Sequence, residues 1–231
     1  SVTWLGNDDS LQPRSRESLD IQTKATLERN AGNINDFANS IRAMRRHEIE
    51  RIGLAWMSGV IDDEASLAGM TDVYDAAIEA SLQWAIQHRI NDIQIDEAPA
   101  AIAIIGMGRY GGREVNFSSD ADVIIIYRPA EGADDDQANL FARKVQEDLR
   151  AILQGPTTFE PKIELDMDLR PEGKNGPLVR SYASCEEYYR SWASTWEHQA
   201  LLRARYAAGD ASLAEDFLMN IADPLRYPKI D

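Results

Sequence analysis

Asp120 and Asp122 stand at the start of an apolar run, Val123 to Tyr127, and a glycine pair, Gly111-Gly112, lies shortly upstream after a second apolar run, Ala101 to Ile105. Both runs are short, β-branched and bounded by turn residues, which predicts strands buried on both faces. Side chains two apart on a strand point the same way, so the two carboxylates are expected on one face with Cα atoms roughly 6.5 Å apart. Like charges held that close repel unless a cation sits between them. A hard divalent ion with oxygen ligands answers that need, and Mg²⁺ is the usual choice beside phosphates. A further carboxylate, Asp166, follows in an alternating stretch where Ile163, Leu165 and Met167 oppose Lys162, Glu164, Asp166 and Asp168. That alternation predicts a third, half-buried strand.

Three such carboxylates suit a two-ion site for nucleotidyl transfer, in which ions about 3.5–4 Å apart stabilise the attacking and leaving oxygens. Asp120 and Asp122 would bridge the ions and Asp166 would complete the set. The glycine pair, lacking Cβ atoms, can bring backbone N–H groups close to a triphosphate. Alone, a Gly-Gly turn is ordinarily just a turn and Asp-x-Asp a solvated cap; their combination and spacing carry the reading. Gly106, Gly108 and Gly111 mimic a dinucleotide fingerprint, but a second strand follows too soon for the long helix that fingerprint opens.

The elements around these residues are mostly helical. Ile34, Phe37, Ile41, Met44, Ile52, Ala55 and Trp56 keep one helix face apolar, with Arg42 to Arg51 filling a solvated face. Asn33 is expected in a turn, and Asp72 as the cap of a second helix carrying Val73, Ala76, Ala77, Ala80 and Trp84. After the strand pair, Phe141, Val145, Leu149, Ile152 and Leu153 mark an amphipathic helix ending near Gly155-Pro156. A further helix is expected over 186–206, its aromatics packing on the core. The sequence predicts a helical arm over 1–98 and a mixed α/β core over 99–231.

Composition narrows the partners. The chain has 231 residues, 44% hydrophobic, and a net charge of −15. That charge argues against nucleic acid and anionic membranes as partners, while metal ions and local basic groups still permit ATP. Cys185, the single cysteine, allows neither an internal disulfide nor a cysteine metal site. No apolar run approaches the ~20 residues that span a bilayer, and SVTWLGNDDS is no signal peptide. A soluble, cytoplasmic protein is expected. The missing initiator methionine and the ending DPLRYPKID suggest a piece of a longer chain. His47, His88 and His198 lack partners at metal-ligand spacing and are expected on helix surfaces.

The series GMGRYGGREVNFSSDADVIIIY, LDMDLRPEGKNGPLVRS and TWEHQALLRAR resembles the glutamine synthetase adenylyltransferase family over most of the chain, from about Trp4 onward. The resemblance implies an α+β, polymerase β-like nucleotidyltransferase core: a small mixed sheet with helices, preceded by a helical arm. It implies metal ligation by Asp120, Asp122 and Asp166 and phosphate contact by Gly111 and Gly112. Asp168 shares the face of Asp166, although other members carry a basic residue there. Ser119 is expected to contact phosphate or cap its turn, and Arg170 and Lys174 to reach phosphate oxygens, Arg170 alternatively pinning Asp166. Family members carry two related domains. SDADV, DLRPEG, WEHQALLRAR and DPLRYP resemble the C-terminal adenylyltransferase of actinobacterial members, which attaches AMP from ATP to a tyrosine of glutamine synthetase. VNFSSD also resembles the phosphorolytic, adenylyl-removing domain, and a non-catalytic nucleotide-sensing module is the third alternative. Glutamine synthetase, and through regulation a PII-type signalling protein, are the implied partners.

Overall fold

The computed structural model of the chain describes residues 11–157 and 160–226. The opening SVTWLGNDDS, with Trp4, and the last two residues of DPLRYP lie outside the described residues.

Among the described residues, three long helices precede the sheet: α1 (Arg16–Arg29), α2 (Ile34–Met57) and α3 (Asp63–Ile93). Asn33, expected in a turn, is the N-cap of α2, its side chain accepting the N–H groups of Asn35 and Asp36. Asp72 does not start a helix. Asp62 caps α3 through the N–H of Ala65, and Asp72 lies in its third turn. With no proline in the segment, one 31-residue helix runs through Asp72.

The core follows as β1 (Ala100–Gly106), the one-turn helix α4 (Gly108–Gly111), β2 (Ala121–Pro129), α5 (Asp135–Gln154), β3 (Leu165–Asp166) and β4 (Val179–Ser181). It closes with α6 (Tyr182–Ser191), α7 (Thr195–Ala200), β5 (Arg205–Gly209), α8 (Ala211–Phe217) and α9 (Asp223–Arg226). The strand order is β3-β2-β1-β5. β1 is antiparallel to β2, with Ile104 opposite Ile125, and to β5, with Ile104 opposite Ala208. β3 and β4 both run parallel to β2, along different parts of its outer edge. The helix expected over 186–206 therefore breaks at Ser191, and its last residues begin a strand.

Both central strands are buried on both faces, as their continuous apolar runs require. Ile102, Ile104, Val123, Ile125 and Tyr127 face a core shared with α2, α3 and α5. Ala103, Ile105, Ile124 and Ile126 face the opposite core, with Cys185, Tyr189, Leu213 and Phe217. Each large side chain so buried contributes about 1.5–3 kcal/mol. The mixed sheet with flanking helices is the architecture of a nucleotidyltransferase-like core.

Arg42, placed by the sequence on a solvated face, is wholly buried. Its guanidinium donates to the carbonyls of Ile152 and Gly155, both at 2.8 Å, and Ala151 at 3.4 Å. They lie at the end of α5, where the helix carbonyls are partly negative; that of Ala151 also accepts the Gly155 N–H at 3.0 Å. Among the described residues, no helix is long and apolar enough to cross a membrane.

Candidate active site

Asp122 lies within β2, one residue into the strand, and its Cα is registered directly against that of Asp166 on parallel β3. Asp120 precedes the strand and is exposed; with Asp166 it lines an open cavity of about 560 Å³. The carboxyl of Asp122 accepts the backbone N–H of Arg109 and is pushed up to about 6, first by burial and then by the charges of Asp120 and Asp166. The three carboxylates thus share one electrostatic neighbourhood. The Arg109 charge only partly offsets the rise at Asp122, and the ion pairs of the adjoining loop fall on Asp168, from Lys174 at 3.2 Å and Arg170 at 3.7 Å.

Among the described residues, no three acidic, histidine or cysteine side chains already close on a single point as metal ligands. Asp166 instead accepts the N–H of Asp168 on one oxygen at 2.7 Å. Nevertheless the donor set fits a hard divalent cation: oxygen ligands only, at and just before adjacent strand positions, with no ion pair to any of the three among the described residues.

The glycine segment differs from the simple turn expected. Residues 108–111 form α4, and both pair amides are used inside it, Gly112 donating to the Gly108 carbonyl at 3.1 Å and Gly111 to that of Met107. The pair therefore does not present free N–H groups to a phosphate. Gly111 is needed for closeness, since a Cβ there would lie 2.2 Å from the Arg203 carbonyl. Gly108, unassigned from the sequence, has φ +51° and leaves space that a Cβ would take at 2.2 Å from Asp122 Oδ2.

Four residues of α3 hold the 110–119 segment against the core. Thr71 Oγ1 accepts the N–H of Val115 at 3.3 Å, and Arg113 pairs with Asp72 at 2.8 Å. The Tyr74 hydroxyl donates to the Ser119 carbonyl at 3.1 Å. Buried Asp75 receives both terminal nitrogens of Arg205, at 2.8 and 3.0 Å, while Arg205 also donates to the Tyr110 carbonyl at 3.1 Å. The Tyr110 ring lies beneath that guanidinium, 4.8 Å from centroid to Cζ. Its hydroxyl is buried without a hydrogen-bond partner, and burial, followed by the Asp75 charge, raises its pKa. Neither Asp75 nor Arg205 was legible as a site residue, because they lie far apart in sequence and meet only across β5.

Ser119 caps its turn, Oγ accepting the Asn116 N–H at 3.1 Å. Arg170 is buried, its guanidinium donating to the carbonyls of Met167, Gly176 and Lys174 at 2.8, 2.9 and 3.0 Å. It therefore shapes the loop rather than pinning Asp166. Lys174 is exposed on that loop. The histidines stay away from the carboxylates: His88 meets Asp148 at 2.9 Å, His198 the Tyr189 carbonyl at 3.2 Å, and His47 lies on the surface. Burial pushes the Cys185 thiol up to about 12, leaving it inert at neutral pH. Tyr189 packs inside as expected, but Trp192 is 75% exposed.

A mixed sheet bearing paired carboxylates at the start of one strand, a third on its neighbour and a tight glycine helix alongside defines the nucleotidyltransferase class. The chain belongs to the glutamate-ammonia ligase adenylyltransferase family, whose profile matches residues 3–220. It is 75% identical over 228 residues to a bifunctional glutamine synthetase adenylyltransferase/adenylyl-removing enzyme of Bifidobacterium longum (strain DJO10A), covering 99% of this chain and 21% of the relative. Proteins of the same name from Mycobacterium tuberculosis (strain CDC 1551 / Oshkosh) and Mycobacterium avium (strain 104) are 46% and 42% identical. Those matches cover 81% and 94% of this chain, and 18% and 22% of the relatives. The chain thus spans about a fifth of the length of these relatives.

Proposed function

We propose that this chain transfers AMP from ATP to a tyrosine of glutamine synthetase, releasing pyrophosphate, and so lowers nitrogen assimilation. The observation that carries the reading is the register of Asp122 against Asp166, with Asp120 at the same cavity, in a chain of this family. We take residues 99–231 as the catalytic core, residues 1–98 as a helical arm, and the bacterial cytoplasm as the place of action.

Magnesium held by Asp120, Asp122 and Asp166 would neutralise charge developing at the α-phosphate and the departing pyrophosphate. The protein's own groups do the rest. A tyrosine hydroxyl has an ordinary pKa near 10 and needs a base. Asp166 has one oxygen tied to the Asp168 N–H; the other receives the tyrosine proton. The phenolic oxygen bonds to the α-phosphorus as the bond from that phosphorus to the pyrophosphate oxygen breaks. Gly108 keeps Asp122 close to α4, and Gly111 keeps α4 close to the sheet.

Incubation of the chain with ATP labelled at the α-phosphate, Mg²⁺ and unmodified glutamine synthetase tests this directly. Label is expected on a synthetase tyrosine, and none from ATP labelled at the γ-phosphate. No α-label on the synthetase would overturn it. The sequence VNFSSD supports a second reading, phosphorolytic removal; release of ADP from adenylylated synthetase and phosphate would establish that instead. We retain a PII-type signalling protein as a proposed regulator and assign it no residue here.

A further inference from the structure

A second cavity of about 720 Å³ opens between α5 and the loop after β3, and it shares Arg150, Arg170, Lys174 and Leu178 with the cavity of Asp120 and Asp166. The two form one continuous furrow. On α5, Arg143, Gln146 and Arg150 follow at i, i+3 and i+7, the spacing of a single helix face, and all three line it. Not all the charges nearby are available to a ligand. Arg170 is committed to loop carbonyls, Lys174 to Asp168 and Glu147 to Lys144. Among the described residues, Arg143 and Arg150 make no ion pair. Gln146 is only 4% exposed, and its Nε2 has no hydrogen-bond partner. A buried amide left unpaired costs about 1–3 kcal/mol, which a ligand in the furrow would relieve.

The position of this furrow says which substrate it serves. Leu165 and Asp166 of β3 line its first cavity and Val179 of β4 its second, and both strands lie on the edge of β2 away from β1. Asp166, the proposed base, lines the furrow, so the group that gives up its proton, the acceptor, comes in along it. At its α5 end, where Glu147 is the one lining carboxylate among the described residues, Arg143 and Arg150 make no ion pair, Arg150 Nε donating only to Gln154 Oε1 at 3.1 Å; in a protein of net charge −15 this marks a local site for negative charge. Its floor also includes Pro177, Leu178 and Val179, apolar contacts that suit a polypeptide better than a free phosphate. The Gln146 amide complements a peptide group in either orientation, donating to a carbonyl or accepting an N–H.

We propose that this furrow is an acceptor-polypeptide site, in which Arg143 and Arg150 bind acidic side chains flanking the modified tyrosine and Gln146 bonds the peptide backbone. The proposal rests on the transferase reading for its purpose, but it is a binding claim and can be tested without catalysis. The probe is a fluorescent peptide with one tyrosine flanked by glutamates, followed by anisotropy with the chain in the absence of ATP and divalent metal. Arg143→Ala with Arg150→Ala is expected to weaken binding about tenfold, ~1.4 kcal/mol, and Arg143→Lys with Arg150→Lys to restore most of it. Raising salt should weaken binding to the unsubstituted chain, because exposed charges are screened. A peptide with serines for the glutamates should bind poorly.

Equal binding by the double alanine variant, or by the serine peptide, would overturn the proposal. So would displacement by tripolyphosphate that itself binds through Arg143 and Arg150, which would make the furrow a phosphate subsite. Arginine-dependent peptide binding by a chain that transfers no AMP would leave this site standing and remove only the transferase reading.

Discussion

Gly108 sits at φ +51° with Asp122 Oδ2 where its Cβ would be, so alanine there both strains the backbone and displaces a carboxylate. Misplacing a reacting group by about 1 Å can cost ~10²-fold in rate, and Gly108→Ala is expected to lose about that much transfer while keeping its circular dichroism. Unchanged transfer would show that Asp122 need not stay where it is. The raised pKa of Asp122, about 6 against an ordinary 3.8, fixes a sign as well. Between these values the folded state holds a proton that the unfolded state has lost, so stability falls as pH rises. The cost is fully present above about pH 6 and absent below 3.8. In EDTA, Asp122→Asn should therefore raise Tm at pH 8 and leave it nearly unchanged near pH 3.5. Equal Tm values at pH 8 would mean that the carboxyl is not strained by its surroundings.

At the level of elements, α3 acts as a splint for the segment between the glycine helix and the carboxylate strand. Thr71→Val and Tyr74→Phe each remove one hydrogen bond to that segment, worth about 1 kcal/mol. Hydrogen exchange at residues 113–119 should become about fivefold faster in each variant, with β1 unaffected. Unchanged exchange would show that the loop holds itself. Little of this arrangement was legible beforehand. The two central strands were, because an apolar run of that length between turn residues has few alternatives. β5 was not: RYAAG is short and alanine-rich, and it continues a helical pattern until β1 offers an open edge. Asp72 looked like a cap because caps and mid-helix pairs use the same residue type; only its partner Arg113 distinguishes them.

Across the whole molecule, Arg42 ties the arm to the core by donating to the last carbonyls of α5. Arg42→Met should lower stability by about 3 kcal/mol and Tm by about 10 °C, measured by thermal unfolding; a shift under about 2 °C would mean water replaces those donors. The arginine-rich stretch gave no hint of this, since the carbonyls it serves lie more than a hundred residues away. Asp120, Asp122 and Asp166 were named from residue type and spacing as a ligand set and remain a proposal, supported by the register of Asp122 against Asp166 and by Asp120 at the same cavity. The sequence did not show that the amides of the glycine pair, expected free in a turn, are consumed in a one-turn helix. The account stands or falls on whether those three carboxylates hold cations together. Manganese titrated into the metal-free chain with a non-hydrolysable ATP analogue, followed by electron paramagnetic resonance, should show about two bound ions. Asp122→Asn with Asp166→Asn should abolish that binding, and its persistence in the double variant would contradict the account.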